Sequence, residues 1–186
     1  MRIIGIAGAA RTGKSTAAMH LIDAHGFAEY AFAQPIKQML RAGFGLTDEQ
    51  LFGAKKEEII PWLGVSPRRL AQTLGTEWGR QLVADDVWLR LAWRWLGALP
   101  RYTPGAVFSD VRFENEAAFI RHHGGTVVHL VRDDAPSVEA HASESGVRPG
   151  FRDYQIRNDG SVAELHAKLD DMLRVMAGGD VHAEDD

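Results

Sequence analysis

The stretch GAARTGKS, Gly8 to Ser15, places two glycines five residues apart and follows the second with Lys14 and Ser15. Residues of these types at this spacing suit one kind of chemistry. Glycines let a backbone curl until successive N–H groups face one point, a helix beginning there adds positive potential, and a lysine reaches the terminal oxygens of a polyphosphate. The pattern therefore predicts that Gly8, Ala10, Arg11, Thr12, Gly13, Lys14, Ser15 and Thr16 grip a nucleoside triphosphate, with the Ser15 hydroxyl on Mg²⁺. An unliganded glycine-rich turn is the bland alternative.

A loop of this kind needs an acid at the end of a neighbouring buried strand, to orient the metal or an attacking oxygen. AVFSD ends in Asp110, with Arg112 close behind. A capping acid, or a simple partner for Arg112, is the structural alternative for Asp110. Transfer to a phosphorylated acceptor also needs cations, and Lys37, Arg68, Arg69, Arg80, Arg112 and Arg132 are the candidates. The histidines point elsewhere: His122 and His123 precede a Gly-Gly stop and suit a helix C-terminus, and His141 lies in a polar segment. Most of the five tryptophans suit the core, with Trp88 placed to wall an acceptor site.

Strands and helices alternate around these groups. RIIGIA (2–7) reads as a strand, the loop follows, and TGKSTAAMHLIDAHG reads as a helix stopped at Gly26. A strand is expected over 28–33, a helix after Pro35 closed by Gly43 and Gly45, and a surface excursion over 46–65. Ser66 and Pro67 suit the N-cap and first position of a helix running to about Leu82, interrupted at Gly75, with Arg68, Arg69, Gln72, Thr76 and Arg80 along it. Residues 85–99 read as a core helix, 105–110 as a buried strand, ENEAAFIRHHGG as a helix and TVVHLVR as another buried strand. A last strand and turn at DYQIRNDGS precede a closing helix with Ser161 as N-cap and Glu164 three residues on. The alternation predicts an α/β fold with a parallel sheet.

Composition narrows the partners. The net charge of −4 comes from the acidic end of the chain, where Asp180, Glu184, Asp185 and Asp186 leave a formally neutral body (−4 + 4 = 0). A neutral body lacks the basic field that a protein gripping nucleic acid uses, so no nucleic-acid partner is expected. There is no cysteine, which excludes disulfides and thiolate chemistry. No apolar run is long enough to span a bilayer and the opening residues do not read as a leader, so a cytoplasmic location and no membrane partner are expected. The Trp-rich 85–99 helix would serve a homodimer face as well as a core.

Taken together, GAARTGKST, YAFAQPIKQML, RRLAQTLGTEWGRQLVADDVWL, VFSDVRFENEAAFIRHHGGTVVHLVR, HASE and YQIRNDGSVAEL resemble the bacteriophage-type deoxynucleoside monophosphate kinases of the P-loop superfamily, over Ile3 to about Met176. The resemblance implies a P-loop NTPase fold with a five-stranded parallel sheet flanked by helices, as a single kinase domain over 1–176. Within it would lie a monophosphate-binding helical region at about 34–98 and a small lid at about 133–150, followed by an acidic tail over 177–186. It implies transfer of the γ-phosphoryl of ATP to a deoxynucleoside monophosphate, with Mg²⁺ on Ser15 and, through water, on Asp110. Lys14, Asp110, Arg112 and Arg132 would be catalytic. Lys37, Arg68, Gln72, Thr76, Arg80, Trp88 and Asp110 would line the monophosphate site, and Asn158 and Gly160 would pack beside adenine. If phage-encoded, the enzyme would work in the host cytoplasm.

The chain departs from the family pattern at one place. A FADPLK-like stretch often carries an acid where this chain reads FAQPIK, with Gln34. An amide donates and accepts, whereas a carboxylate only accepts, so selectivity could differ. Dephospho-coenzyme A kinases share the loop and the terminal NxG turn, and remain an alternative. A non-catalytic nucleotide-binding switch, or a kinase of polynucleotides, are others.

Overall fold

The computed structural model describes residues 1–133 and 146–179. In chain order the elements are β1 (Arg2–Ala7), α1 (Lys14–His25), β2 (Ala28–Tyr30), α2 (Gln34–Phe44), α3 (Asp48–Leu51), α4 (Pro67–Gln72), α5 (Val87–Ala98), β3 (Gly105–Val111), α6 (Glu114–His122), β4 (Thr126–Val131), β5 (Tyr154–Arg157) and α7 (Val162–Gly179). A short 3₁₀ turn occupies Ala54–Glu57, and a π-helical segment occupies Thr73–Val83. Two compact units form: one takes the chain up to Glu29 and from Pro100 onward, the other is Tyr30–Leu99.

The first unit carries the sheet, in strand order β2-β3-β1-β4-β5. β1 pairs in parallel with β3 on one side and β4 on the other, and β4 pairs in parallel with β5. The expected five-stranded sheet flanked by helices is the fold observed. Its strands are apolar at nearly every position because both faces are covered. Alternation along β1 divides the work: Ile4 and Ile6 join Leu21 of α1 and Leu165 and Leu169 of α7 in one core layer. Gly5 faces the other way, where a Cβ would come within 2.5 Å of Ile120 on α6, so only a glycine lets that helix lie so close.

The β1–β3 register shifts near the carboxyl ends of the strands. Gly5 pairs with Phe108 but Ala7 pairs with Val111, so Ser109 and Asp110 together oppose Ile6. A two-for-one bulge bends the strand and re-aims side chains. Both residues emerge half-buried from a strand whose preceding four positions are buried.

The second unit is helical. Thr47 and Gln50 cap α3 reciprocally, and the residues around it are largely exposed, as an excursion over 46–65 would be. β2 is shorter than the expected 28–33 because the chain turns into α2 at Gln34, with Pro35 inside the first turn. Ser66 caps α4 by accepting the Arg69 N–H at 3.2 Å. The helix expected to break at Gly75 instead widens from Thr73 into π geometry and continues to Val83. Its reason is the indole of Trp88, which is 2% exposed, lies against Gly79 and donates from Nε1 to the Gly75 carbonyl at 2.8 Å. A side chain at Gly79 would collide with that indole. The buried line of α5 is accordingly Trp88, Ala92 and Leu96.

Most of the expected lid, residues 134–145 with His141, lies outside the described residues, as does the acidic end from Asp180. Among the described residues no helix is long and apolar enough to cross a membrane.

Candidate active site

A parallel sheet delivers the ends of all its strands to one edge, and four of the expected segments leave it there. Gly8 follows β1, Arg112 follows β3, Arg132 follows β4 and Asn158 follows β5. Ligands of open α/β sheets bind at this edge, because the strand-to-helix loops there end in helix N-termini.

The loop after β1 is held in a conformation that few sequences adopt. Gly8 has φ 146°, Gly13 φ 97°, and Arg11, which is not a glycine, φ 63°. At Gly8 a Cβ would lie 2.5 Å from the Leu130 carbonyl oxygen, so the backbone could not approach β4 with any other residue. The Thr12 hydroxyl donates across the loop to the Ala9 carbonyl at 2.9 Å. Lys14 Nζ donates to the Gly8 and Ala9 carbonyls at 2.7 and 2.6 Å, which stations its ammonium across the mouth of the loop.

The first turn of α1 has no side-chain cap and no acid. Its N–H groups and dipole are therefore not neutralised locally, which is the donor set a polyphosphate takes up. Ser15 stands exposed in that turn, so its hydroxyl is accessible to a cation. Loop, lysine and helix end together fit a nucleoside triphosphate with its magnesium.

Asn158 is where the structure sharpens the sequence reading. Its side chain, 9% exposed, donates from Nδ2 to the Thr12 carbonyl at 2.9 Å, and its backbone N–H donates to Val131 at 2.8 Å. Gly13 leaves room for that amide, since a Cβ there would overlap Asn158 Nδ2. The Asn158 amide donor thus braces the phosphate loop from β5. Gly160 is exposed beyond it, next to the Ser161–Glu164 cap of α7.

At the end of β3 the bulge carries Asp110, and Arg112 follows, both half-buried. The turn between β3 and α6 is fixed by Glu116, 2% exposed, whose carboxylate accepts the Arg112 N–H at 2.7 Å and the Phe113 N–H at 3.1 Å. Two backbone donors on one buried carboxylate lock the strand-to-helix turn from which Arg112 projects. The sequence reading missed Glu116, although an acid at the third position of a helix is a recognisable capping signal. Arg132 is exposed directly after β4.

A second missed residue is Asp153, its side chain 1% exposed. It accepts from Arg121 Nε at 3.2 Å, from Gly150 N at 2.6 Å, from Val127 N at 3.2 Å, and pairs with His129 Nε2 at 3.0 Å. Burial pushes its pKa up, but the Arg121, Gly150, His129 and Val127 hydrogen bonds outweigh it and hold the carboxyl well below the usual range. Asp153 thereby ties α6, β4 and the approach to β5 together. No local pattern announces it, because three of its four partners, Arg121, Val127 and His129, are distant in sequence.

The expected acceptor residues lie in the helical unit. Arg68 and Gln72 are on α4, Thr76 and Arg80 on the π-helical segment, and Lys37 on α2; all are half-buried. The change of helix type affects their alignment. A four-residue step overshoots one turn of an α-helix and falls short of one turn of an i→i+5 helix. The stripe that drifts one way from Arg68 to Gln72 drifts back through Thr76 and Arg80, keeping the four on one face. Within the unit Arg68 pairs with Glu57 at 2.8 Å, Arg80 donates to the Asp85 carbonyl at 3.3 Å, and Lys37 Nζ lies 4.0 Å over the Phe52 ring. Trp88, expected to wall the acceptor site, is buried and donates its indole N–H to the Gly75 carbonyl, supporting the segment. Gln34 is exposed at the start of α2.

A sequence profile of the family described as deoxynucleotide monophosphate kinase matches residues 2–60 and 54–169, nearly the whole chain. The chain belongs to the deoxynucleotide monophosphate kinase family. A protein of Acanthamoeba polyphaga mimivirus named for the same activity is 33% identical over 183 residues, covering 91% of this chain and 94% of its own length. The deoxynucleotide monophosphate kinase of Escherichia phage RB69 is 32% identical over 144 residues, 75% of this chain but only 58% of the phage protein. The chain thus spans little more than half of that phage relative. Among solved structures, the dephospho-CoA kinase of Campylobacter jejuni superposes with a TM-score of 0.52 at 13% identity, over 97% of this chain and 100% of that one. At that identity the likeness shows the shared fold alone.

Proposed function

We propose that this protein transfers the γ-phosphoryl group of ATP to a deoxynucleoside monophosphate, giving ADP and a deoxynucleoside diphosphate. The observation that carries the reading is the braced loop, Gly8 to Ser15 with Asn158 behind it, in a chain of the deoxynucleotide monophosphate kinase family. The loop N–H groups, Lys14 and Thr16 hold the triphosphate, and Asn158 and Gly160 border its base. Ser15 and, through water, Asp110 supply oxygens for Mg²⁺, which neutralises charge on the β- and γ-phosphates when bound. Lys37, Arg68, Gln72, Thr76 and Arg80, in the Tyr30–Leu99 unit, hold the acceptor.

An oxygen of the acceptor phosphate attacks the γ-phosphorus, the bond to the β–γ bridging oxygen breaks, and ADP leaves. The acceptor phosphate is largely ionised at neutral pH, so no strong general base is required. Lys14, Arg112 and Arg132 offset charge around the transferring group, and positioning carries most of the rate.

The test is ADP release measured with each common deoxynucleoside monophosphate, one modified-base monophosphate, dephospho-coenzyme A and an oligonucleotide. Turnover with one or more of the monophosphates and none with the other acceptors is expected. Turnover with dephospho-coenzyme A alone, or ATP binding with no acceptor-dependent turnover, would overturn the reading.

A further inference from the structure

Away from the sheet edge, α1 and α7 bring three metal-ligating side chains to one point. His20 Nε2 lies 2.7 Å and His25 Nε2 2.8 Å from the same oxygen, Oδ1 of Asp170. The three donor atoms lie within 4.8 Å of one another. A fourth side chain, His166, stacks on His20 with ring centroids 4.0 Å apart and planes 14° from parallel, which fixes the orientation of the His20 ring. His166 and Asp170 stand four residues apart on α7, one above the other on the same face.

We propose that His20, His25 and Asp170 form a binding site for one divalent transition-metal ion, with zinc the ion that the donor set suits. Two imidazole nitrogens and one carboxylate oxygen are borderline ligands, suited to zinc and poorly suited to magnesium or calcium, which take all-oxygen shells. Tetrahedral zinc holds such donors about 3.3 Å apart, given metal–ligand bonds of about 2.0–2.2 Å. The two nitrogens already converge on Asp170 Oδ1, and all three donor atoms lie within 4.8 Å of one another, close to that spacing. His25 is the last residue of α1, with its side chain 31% exposed, and that of Asp170 is 37% exposed. The fourth coordination position therefore opens to water.

The site is separate from the phosphate loop. His20 and His25 lie six and eleven residues beyond Lys14, about 9 and 16 Å along α1 at 1.5 Å per residue. A metal there bridges the helix that begins at Lys14 to the helix that closes the chain. It is not the magnesium of the transfer reaction, and its binding does not depend on which acceptor the enzyme uses.

The experiment titrates ZnCl₂ alone into the full-length protein by calorimetry, and CoCl₂ in parallel by visible absorption. We expect one zinc per chain, the intense d–d bands of low-coordinate cobalt, and a melting temperature that rises with free zinc. His20→Gln, His25→Asn and Asp170→Asn are each expected to weaken zinc binding at least about tenfold. Magnesium-supported turnover of His25→Asn without added zinc should match the parent protein. Cobalt that gives only the weak spectrum of the aquated ion with the parent protein would overturn the proposal, and that observation needs no variant. Zinc binding that persists at parental affinity in His25→Asn and Asp170→Asn would overturn it equally.

Discussion

Asn158 holds the carbonyl of Thr12. Its Nδ2 donates at 2.9 Å from a buried position on the far side of the phosphate loop, 146 residues away in sequence. The contact joins β5 to the loop after β1 and fixes the peptide immediately before Gly13, where the backbone enters its left-handed conformation. Loop shape thus rests on a side chain that need not touch the phosphates.

Removing that brace should loosen nucleotide binding more than it slows transfer. Asn158→Ala orphans a buried carbonyl, a loss of about 1–3 kcal/mol in stability, and is expected to raise the KM for ATP about tenfold with a smaller change in kcat. Asn158→Asp, which sets a carboxylate against the Thr12 carbonyl, should be worse than alanine. Steady-state kinetics with a thermal melt of each variant checks both. An unchanged KM for ATP would remove the brace from the account.

Lys14 should act on the rate. Its ammonium crosses the loop mouth within 2.7 Å of two carbonyls, and Lys14→Ala is expected to lower kcat by about 10²–10³, the effect of losing one preorganised charge at a reacting centre. Because Lys14 is only half-buried, the melting temperature should change little.

Trp88 should act on the acceptor side alone. Trp88→Phe keeps most of the apolar volume but leaves the Gly75 carbonyl without the indole donor. The π-helical segment carrying Thr76 and Arg80 should then rearrange, raising the KM for the monophosphate several-fold while that for ATP stays near its parental value. A rise in both constants would contradict the role assigned here.

Much of this site was legible in the sequence because its signals are local. The glycines and lysine of 8–15 lie within one loop, and apolar strands alternating with helices announced the parallel sheet whose single edge gathers residues 8, 112, 132 and 158. What escaped was long-range. Nothing near Trp88 in sequence shows that its indole reaches the Gly75 carbonyl, the contact that also explains why the helix widens instead of stopping. Asp153 was invisible because its side-chain partners sit on α6 and β4, and His20, His25 and Asp170 because a chelating point made by two helices has no one-dimensional spacing.

Asp153 sets an acid limit on stability. Its pKa is lowered on folding, so its contribution is fully present above the unfolded value of about 3.9 and is lost as pH falls through the depressed folded value. Stability should therefore decline below about pH 4. Asp153→Asn should cost about 3 kcal/mol at neutral pH and flatten that acid decline. Urea melts at pH 7 and pH 3 separate the two effects; an equally steep acid decline in the variant would contradict the assignment.

Phosphoryl transfer between nucleotides is decided by the identity of the product. With Mg²⁺, ATP and the preferred deoxynucleoside monophosphate, ³¹P NMR should show the monophosphate resonance replaced by two diphosphate resonances, one diphosphate per ADP formed, with Lys14→Ala as the silent control. ADP accompanied by inorganic phosphate, with the monophosphate unchanged, would contradict it.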